Sequence, residues 1–451
     1  MPRHALLFRH CVRSTSSSIK HGVASFEQAS DYMGIPPPEW GVPEHWCTTT
    51  GLEMMSGTGR DLRRVLGDDV TQLSVVSDTV MRDVDTSGAL MAGFCRERLP
   101  DCATLRLDPL LFEASRSPEL DLPPLCDRSG WDDEQQAAEV RRRLASVPRP
   151  APVAEALATM QELYGVGAAG NLTALEVGVS ESGSLTGAAP VLKSLAQTMM
   201  YAYASRVPLR LRRAVSAAER LNLFAWQHWY RSVKDMTALY ATDNAALMQA
   251  IVAALDPATP QTDAAAAFIG HDGNLDGVGL LVGLRDTGWD APPYLGGALV
   301  PTPPGAALHF SHDDAGVVSL RFLYPTFIGA DGTPNTTGVL AASPIFAEPW
   351  SAFRARVASN LRSYAGAQAC FDVAVARAAA SRAGGGAGSG SAADSTGALL
   401  DKAHSLMGLG VGLLAVGTSA LLLAPLLALW CCVRRPGAQR ATRMLEMVRV
   451  S

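Results

Sequence analysis

Two short segments, about 260 residues apart, carry side chains whose chemistry suits a phosphate ester. Residues 9–13 read Arg-His-Cys-Val-Arg, and residues 271–272 read His-Asp. Arginine donates paired hydrogen bonds to phosphate oxygens and stays charged at any working pH. A neutral imidazole can attack phosphorus to form a phosphohistidine, and a carboxylic acid can protonate the leaving alkoxide. We therefore predict His10 as the nucleophile, Asp272 as the proton donor, and His271 as a hydrogen-bonding partner of the transferred group.

The elements before these segments indicate how the segments could meet. Each follows a short apolar run, residues 5–8 in one case and 264–269 in the other, and each run predicts a buried strand. In an open α/β sheet, loops that leave the carboxyl ends of adjacent strands converge on one crevice. A second His-Asp pair, His312-Asp313, lies instead before an alternating run, so we predict a hairpin turn with a structural role.

The motifs around these residues resemble those of a known family. Residues 9–14 are similar to the Arg-His-Gly-x-Arg-x-Pro signature of the histidine acid phosphatases, which include phytases. Residues 270–275 resemble the family's His-Asp segment, and residues 303–308 resemble the Pro-Pro-Gly-Gly-x-Leu that follows it. Residues 77–82 are similar to its Asp-x-x-Arg stretch. The resemblance covers roughly residues 5–375.

The resemblance implies a set of roles for residues of this chain. Phosphate monoesters would be hydrolysed through a phosphohistidine on His10, with Asp272 as proton donor. An acidic pH optimum is expected, because Asp272 must carry a proton. Phosphate-binding roles are implied for four further side chains: Arg9, Arg13, Arg82 and His271.

The chain departs from the family pattern at three places. Cys11 replaces the usual glycine, residues 14–15 (Ser-Thr) replace x-Pro, and Arg82 lacks the threonine that often follows it. These departures motivate an alternative of a different class, a non-catalytic surface protein that binds phosphorylated ligands. A phytase-like phosphatase acting on inositol polyphosphates is the other alternative to a broad acid phosphatase.

Composition limits the classes of fold and of binding partner that this chain can have. The chain has 451 residues, 48% of them hydrophobic, and a net charge of −5. That length supports a large α/β core with an insertion, and the slight acidity argues against a nucleic-acid partner. No Cys/His spacing predicts zinc and no acidic cluster predicts magnesium, so we expect catalysis without a metal or other cofactor.

The predicted fold is α/β, with a mixed sheet core flanked by helices, similar to phosphoglycerate mutase, and an inserted helical cap. The core comprises residues 1–94 and 241–375, and the cap residues 95–240, where apolar residues recur at three and four and strand-like alternation is scarce. The predicted helices cover residues 132–147, 152–163, 189–204, 209–223 and 243–255.

The composition changes after the core. Residues 376–405 contain a Gly/Ala/Ser-rich stretch and predict a flexible stalk. Residues 406–433 carry no charge, and as a helix they would measure about 42 Å, more than the roughly 30 Å hydrocarbon core. We predict a transmembrane helix, and the basic segment 434–451 predicts a cytosolic C-terminus with the catalytic domain lumenal or extracellular, the single-pass type I arrangement.

Two alternatives to this topology remain open. A glycolipid-anchor signal also places a small-residue stretch before an apolar tail. The chain shows no signal peptide before its first strand, so the apolar span could also insert alone and leave the domain in the cytosol. A Gly-x-x-x-Gly pattern at residues 408–412 allows a homodimer through the membrane helix.

Cysteines and sequons suit a translocated domain. Six of the eight cysteines precede the apolar span, and Cys102 and Cys126 lie where the resembled family carries a disulfide. The sequence leaves the partners of the other cysteines open. Asn171 and Asn335 each begin a glycosylation sequon, which predicts a glycoprotein if the domain is translocated.

Overall fold

The computed structural model of the chain describes residues 2–20, 26–67, 69–95, 102–112, 125–126, 132–259, 265–284, 302–325 and 340–384. The strands are β1 (Arg3–Arg9), β2 (Ser18–Lys20), β3 (Phe26–Gln28), β4 (Leu73–Ser77), β5 (Ala103–Leu107), β6 (Val177–Val179), β7 (Leu185–Gly187), β8 (Ala265–Gly270), β9 (Ala307–His312), β10 (Val317–Pro325) and β11 (Leu340–Pro349). The helices are α1 (Thr49–Leu66), α2 (Met81–Phe94), α3 (Pro109–Phe112), α4 (Asp133–Ser146), α5 (Val153–Tyr164), α6 (Ala188–Ala204), α7 (Ala217–Lys234), α8 (Ala238–Asp243), α9 (Ala245–Leu255), α10 (Asp272–Leu281), α11 (Trp350–Ser363) and α12 (Ala367–Gly384).

Seven strands form one mixed sheet in the order β11-β10-β9-β1-β8-β4-β5. Strands β1, β8, β4 and β5 run parallel to one another, and β9, β10 and β11 add an antiparallel side next to β1. The remaining strands make two small antiparallel pairs, β2 with β3 and β6 with β7. The prediction of a mixed α/β sheet core flanked by helices is confirmed.

The apolar run in β1 is buried on both faces because helices cover both sides of the sheet. Leu6 and Phe8 point into one core, which contains residues of α1, α2, α5, α6 and α7. Ala5 and Leu7 point into the other, which contains residues of α9, α10 and α11. Side chains alternate between the faces of a strand, so a central strand covered on both faces reads as a continuous apolar run.

Two boundaries differ from those predicted. The predicted cap begins at residue 95, but β5 lies within it and pairs in parallel with β4 as an edge strand. Its side chains are partly exposed, and so it lacks the continuous apolar run by which the central strands are recognised. The helix predicted over residues 209–223 instead begins at Ala217, because the hydroxyl of Ser216 caps the backbone N–H of Glu219.

The described residues up to Ala374 form one compact unit. Residues 376–384, predicted as the start of the stalk, continue α12, since their alanines and arginines favour a helix. The rest of the predicted stalk, the predicted membrane helix at 406–433 and the tail at 434–451 lie outside the described residues. Within the described ranges, no helix combines the length and apolarity needed to cross a bilayer.

Candidate active site

The ends of three parallel strands bring the predicted site residues to one edge of the sheet. In the register, Arg9 of β1 lies opposite Gly270 of β8, and Ile269 lies opposite Ser77 of β4. The backbone N–H of His10 donates to the carbonyl of Gly270 at 2.9 Å. The residue after each strand therefore opens onto a common crevice, as predicted from the two apolar runs.

The Pro-Pro-Gly segment closes the other side of the nucleophile's strand. The N–H of Gly305 lies 3.2 Å from the carbonyl oxygen of Arg9 and 3.0 Å from that of His10. Gly305 has a φ of +77°, and a Cβ there would lie 2.9 Å from the sulfur of Met55. The positive φ favours glycine at this position, and a larger residue would also displace the end of the Met55 side chain.

His10 is buried, and its ring is oriented by its own loop. Its Nδ1 lies 2.8 Å from the carbonyl oxygen of Cys11. A carbonyl can only accept, so Nδ1 carries the proton and Nε2 keeps its lone pair. Burial lowers the pKa of His10 well below its ordinary value, and the positive charges of Arg82 and Arg13 lower it further. The imidazole is therefore neutral and nucleophilic in mildly acidic solution.

Arg9 and Arg13 lie on either side of the nucleophile. Arg9 is buried, donates to the hydroxyl of Tyr201 at 2.6 Å, and lies 3.1 Å from a carboxylate oxygen of Asp272. Arg13 has its guanidinium carbon 5.6 Å from the centre of the Tyr201 ring. Its Nη1 donates to the Nδ1 of His45 at 3.0 Å. Tyr201 of α6 thus helps to place both guanidinium groups.

Arg82, at the start of α2, completes a set of three guanidinium groups. Its Nη2 lies 3.2 Å from the Nδ1 of His271. The Nε atoms of Arg9, Arg13 and Arg82 are all buried without a hydrogen-bond acceptor among the described residues. Buried donors of this kind are costly unless an acceptor meets them, and a phosphate offers several charged oxygens.

His271 is held between two carboxylates. Its Nε2 lies 3.1 Å from Asp78, and its Nδ1 lies 3.6 Å from the buried Asp83. Burial alone would lower the pKa of His271, but the charge of Asp83 and the hydrogen bond to Asp78 outweigh it, and the pKa is raised. His271 therefore carries a positive charge in acidic solution, which suits contact with a phosphate oxygen.

Asp272 is the first residue of α10. Burial would raise its pKa, but the charges of Arg9 and Arg231 prevail and hold it well below its ordinary value. Its carboxylate lies 3.5 Å from the Nε of Arg231. Without substrate the group is thus an anion, and a proton on it has to be stabilised by the negative charge of bound phosphate.

The structure brings all six predicted site residues into this crevice and places others there that the sequence did not single out. Arg231 of α7 donates to the backbone carbonyl of Asp272 at 3.0 Å and pairs closely with the buried Asp276. His45, which is exposed, contacts Arg13. Half-buried Lys193 of α6 also belongs to the site. Burial lowers its pKa to about 8, with Asp272 opposing that shift.

The signals for these residues are weak in the sequence. Arg231 and Lys193 each lie in an amphipathic helix, where a basic residue ordinarily marks the solvated face. His45 has a positive φ of 64°, and nothing in its neighbours predicts that conformation. Arg231 closely follows three large aromatic residues in the sequence, Trp226, Trp229 and Tyr230, and this is a weak signal that its part of the helix is buried.

Asp78, Asp83 and His271 have the residue types and spacing that could hold a metal ion, since their ligand atoms lie within 4.8 Å of one another. The guanidinium of Arg82 approaches the same Nδ1 of His271 at 3.2 Å. A divalent cation there would face that fixed positive charge. The geometry favours two carboxylates that balance a protonated histidine and an arginine.

The second His-Asp pair lies away from the site. His312 pairs with Arg3 in the sheet, at the opposite end of β1 from the nucleophile. Its Nδ1 lies 2.8 Å from the carbonyl oxygen of Leu255, and its ring stacks on Trp350. The prediction of a structural role in a hairpin is confirmed.

Three disulfides join Cys11 to Cys47, Cys95 to Cys102, and Cys126 to Cys370. Cys102 and Cys126, which the family resemblance placed at a disulfide, are thus both bridged, but not to each other. Cys95 is a nearer partner for Cys102 in the chain, and the segment between them links α2 to β5.

Comparisons with known proteins support a fold relationship. The phytase of Hafnia alvei in its apo form matches with a TM-score of 0.62 and 20% identity, over 79% of this chain and 96% of that chain. The Klebsiella sp. ASR1 phytase matches with 0.60 and 16%, over 80% and 95%. The Citrobacter braakii phytase matches with 0.60 and 17%, over 79% and 96%. No protein-family model and no curated protein matches this chain.

Proposed function

We propose that this chain, which has the fold of the histidine acid phosphatases, hydrolyses phosphate monoesters through a phosphohistidine on His10. One observation carries the proposal. A buried, neutral imidazole lies among three arginines whose Nε donors lack acceptors within the described part of the chain, with Asp272 in the same cluster. Phosphoryl transfer relies on this combination of positioning and positive charge.

Two displacements at phosphorus account for the reaction. In the first, Nε2 of His10 forms a bond to phosphorus as the ester P–O bond breaks, and the leaving oxygen takes the proton of Asp272. In the second, the Asp272 carboxylate accepts a proton from water, whose oxygen attacks phosphorus and breaks the P–N bond. Inorganic phosphate leaves and His10 is regenerated.

Removal of the nucleophile tests the proposal. His10→Ala should lose at least about a thousandfold in kcat on an aryl phosphate and should not acquire acid-labile label from a ³²P-phosphoester. His312→Ala serves as the matched control, because His312 is also buried but lies at the far end of β1. Turnover and labelling that persist in His10→Ala would exclude the mechanism. Phosphate binding without turnover in the unaltered protein would favour the non-catalytic alternative.

The acid role of Asp272 has a separate test. Asp272→Asn should slow the release of alkyl leaving groups by about a hundredfold or more, and of nitrophenolate much less, since nitrophenolate leaves without a proton. A series of substrates whose leaving groups differ in pKa would measure this. In the variant, the rate should fall more steeply with increasing leaving-group pKa than in the unaltered protein. An equal loss across the series would contradict the assignment.

Inositol polyphosphates are a second candidate substrate class. Lys193 adds a cation near Asp272 and Arg13, beyond the three arginines of the phosphate site. The three solved structures compared above, which are similar in fold to this chain, are of phytases. A second phosphate on the same substrate would find a charged partner in this lysine. Comparison of kcat/KM for inositol hexakisphosphate and for simple monoesters would decide between the two classes.

A membrane anchor is also part of the proposal. The 28 uncharged residues 406–433 and the arginines that follow them favour a single span with the phosphatase domain lumenal or extracellular. Asn171, which is exposed, would then be a glycosylation acceptor. Expression of the full chain in a eukaryotic cell, carbonate extraction and N-glycosidase treatment would test both points. Recovery in the soluble fraction without a mobility shift would contradict them.

A further inference from the structure

We infer that the Cys11–Cys47 disulfide is a positioning device for the nucleophile, an inference that rests on the proposed role of His10. The disulfide is buried, and it joins the loop between His10 and Arg13 to the segment that precedes α1. Cys11 occupies the place where the resembled family has glycine. The bridge is therefore a feature of this chain that the general reaction does not require.

Cys11 touches the nucleophile through its backbone. Its carbonyl accepts the proton of His10 Nδ1 at 2.8 Å, and this contact leaves Nε2 as the reactive nitrogen. Its N–H donates to the hydroxyl of Thr86 at 2.9 Å, and that hydroxyl donates to the carbonyl of Arg82 at 2.6 Å. The orientation of the imidazole thus depends on the peptide group of a residue linked by hydrogen bonds to α2.

Cys47 fixes the same loop from the other side. It forms an isolated antiparallel bridge with Arg13, and its neighbour Thr48 donates from its backbone N–H to the carbonyl of Val12 at 3.0 Å. Its sulfur lies 3.3 Å from the carbonyl oxygen of Arg82. The disulfide therefore lies where the segments that carry His10, Arg13 and Arg82 meet.

The backbone at position 11 accepts a side chain without strain. Among the described residues, positive φ outside glycine occurs only at His45 and Arg206. The Cβ of Cys11 therefore costs nothing in backbone conformation, and the bridge removes motion that a glycine would allow. A loss of this constraint would let the Cys11 carbonyl turn away from Nδ1. Misplacement of a reacting group by about 1 Å can cost on the order of a hundredfold in rate.

Paired cysteine variants test the inference. Cys11→Ala/Cys47→Ala should lower kcat and the rate of phosphohistidine formation by at least about tenfold, at a temperature well below the melting point of the variant. Cys95→Ala/Cys102→Ala is the matched control. It removes the disulfide at the other end of α2, about 20 Å along the helix from Arg82. The control should keep kcat within about twofold, whatever its melting temperature.

A second measurement uses the unaltered cysteines, in case the first variant does not fold. In the Cys95→Ala/Cys102→Ala background, dithiothreitol would reduce the Cys11–Cys47 bridge to two thiols and itself become a cyclic disulfide, a two-electron, two-proton exchange. Dithiothreitol can also open the Cys126–Cys370 bridge, so alkylation and mass spectrometry would report the fractions with free Cys11 and with free Cys126 separately, and activity would be measured on the same samples. The lost activity should track the fraction with free Cys11, not the fraction with free Cys126, and should return on reoxidation.

Unchanged kcat in the folded Cys11/Cys47 variant, or unchanged activity with Cys11 fully alkylated, would overturn the inference. A drop in melting temperature alone would have the same meaning, because it would show a structural role only. A failure of the proposed function has a different signature. The fully oxidised, unaltered protein would then show no labelling on His10 and no turnover.

Discussion

Asp83 lies directly behind His271, with its Oδ2 3.6 Å from the Nδ1 of the imidazole. The Asp83 side chain is fully buried, and neither of its oxygens accepts a hydrogen bond from a described residue. Burial raises the pKa of Asp83 to about 6, and the charge of Asp83 in turn raises the pKa of His271. Asp83 lies behind His271 and therefore controls how strongly His271 holds the positive charge that it would present to a bound phosphate.

Replacement of Asp83 should move the pH dependence of phosphate binding. In Asp83→Asn the negative charge is lost, so the pKa of His271 falls and His271 loses its proton at a lower pH. Loss of the substrate proton already lowers kcat/KM above pH 6, so we expect the variant to show the additional fall, where His271 also loses its proton, at a lower pH than the unaltered protein. The measurement is a pH–rate profile against an aryl phosphate.

Asp85→Asn is the control, because the pKa of Asp85 is also raised to about 6 by burial in the same helix. An unshifted fall in Asp83→Asn, or an equal shift in the control, would contradict the linkage.

The same variant should change how stability depends on pH. The folded pKa of Asp83, about 6, lies above its ordinary 3.8. The folded state therefore favours the protonated form, and this contribution to stability is lost as pH rises from about 4 to about 6. Two pKa units correspond to about 3 kcal/mol. The free energy of unfolding of Asp83→Asn, minus that of the unaltered protein, should rise by about that amount between pH 4 and pH 7. Urea titrations at the two pH values measure it, and a constant difference would count against the buried charge.

Acidic activity should follow the protonation of the substrate. Burial lowers the pKa of His10 well below its ordinary value, which favours the neutral nucleophile in acidic solution, while the low pKa of Asp272 leaves that group ionised before substrate binds. A monoanionic phosphoester brings the required proton, and the second pKa of a phosphoester is about 6. We expect kcat/KM to fall about tenfold per pH unit above pH 6 and to be nearly flat from pH 5 to pH 6. Rates measured from pH 4 to pH 9 would show this, and an optimum in alkaline solution would contradict it.

Lys193 should matter more for substrates that carry several phosphates. Lys193→Met keeps most of the apolar length of the side chain and removes its charge, so one charge-assisted hydrogen bond is lost. KM for inositol hexakisphosphate should rise roughly tenfold, whereas KM for an aryl phosphate should change less than threefold. Arg210→Met, at an exposed position beyond the site, is the control for general charge effects. Equal changes in KM for both substrates would show that Lys193 does not distinguish them.

The central part of the fold was accessible from the sequence because its signals are local. The runs before Arg9 and His271 are apolar on every residue, as strands covered on both faces must be, and polar residues follow each run at once. Their order along the chain, together with the family motifs, sufficed to place His10, Asp272 and the arginines in one crevice. The edge strand β5 lacks such a run and was missed.

The rest of the site depends on contacts that no local pattern encodes. Arg231 reaches Asp272 from a helix of the insertion, and Asp83 gains its role only because α2 packs behind the end of β8. The pairing of Cys11 with Cys47 depends on how the loop after β1 meets the start of α1. The residues that carry the chemistry were therefore easier to predict than the neighbouring residues that shift their pKa values.

The bridge between Cys126 and Cys370 joins two residues that are 244 positions apart in the sequence and closes a ring that contains part of the catalytic site. Proteolytic cleavage of one peptide bond anywhere inside that ring would leave both fragments in a single covalent molecule. His271 and Asp272 lie on the ring, whereas His10 lies on the arm before it. A nicked protein would thus run at full mass on a gel without reductant and separate into two bands only when thiols are supplied.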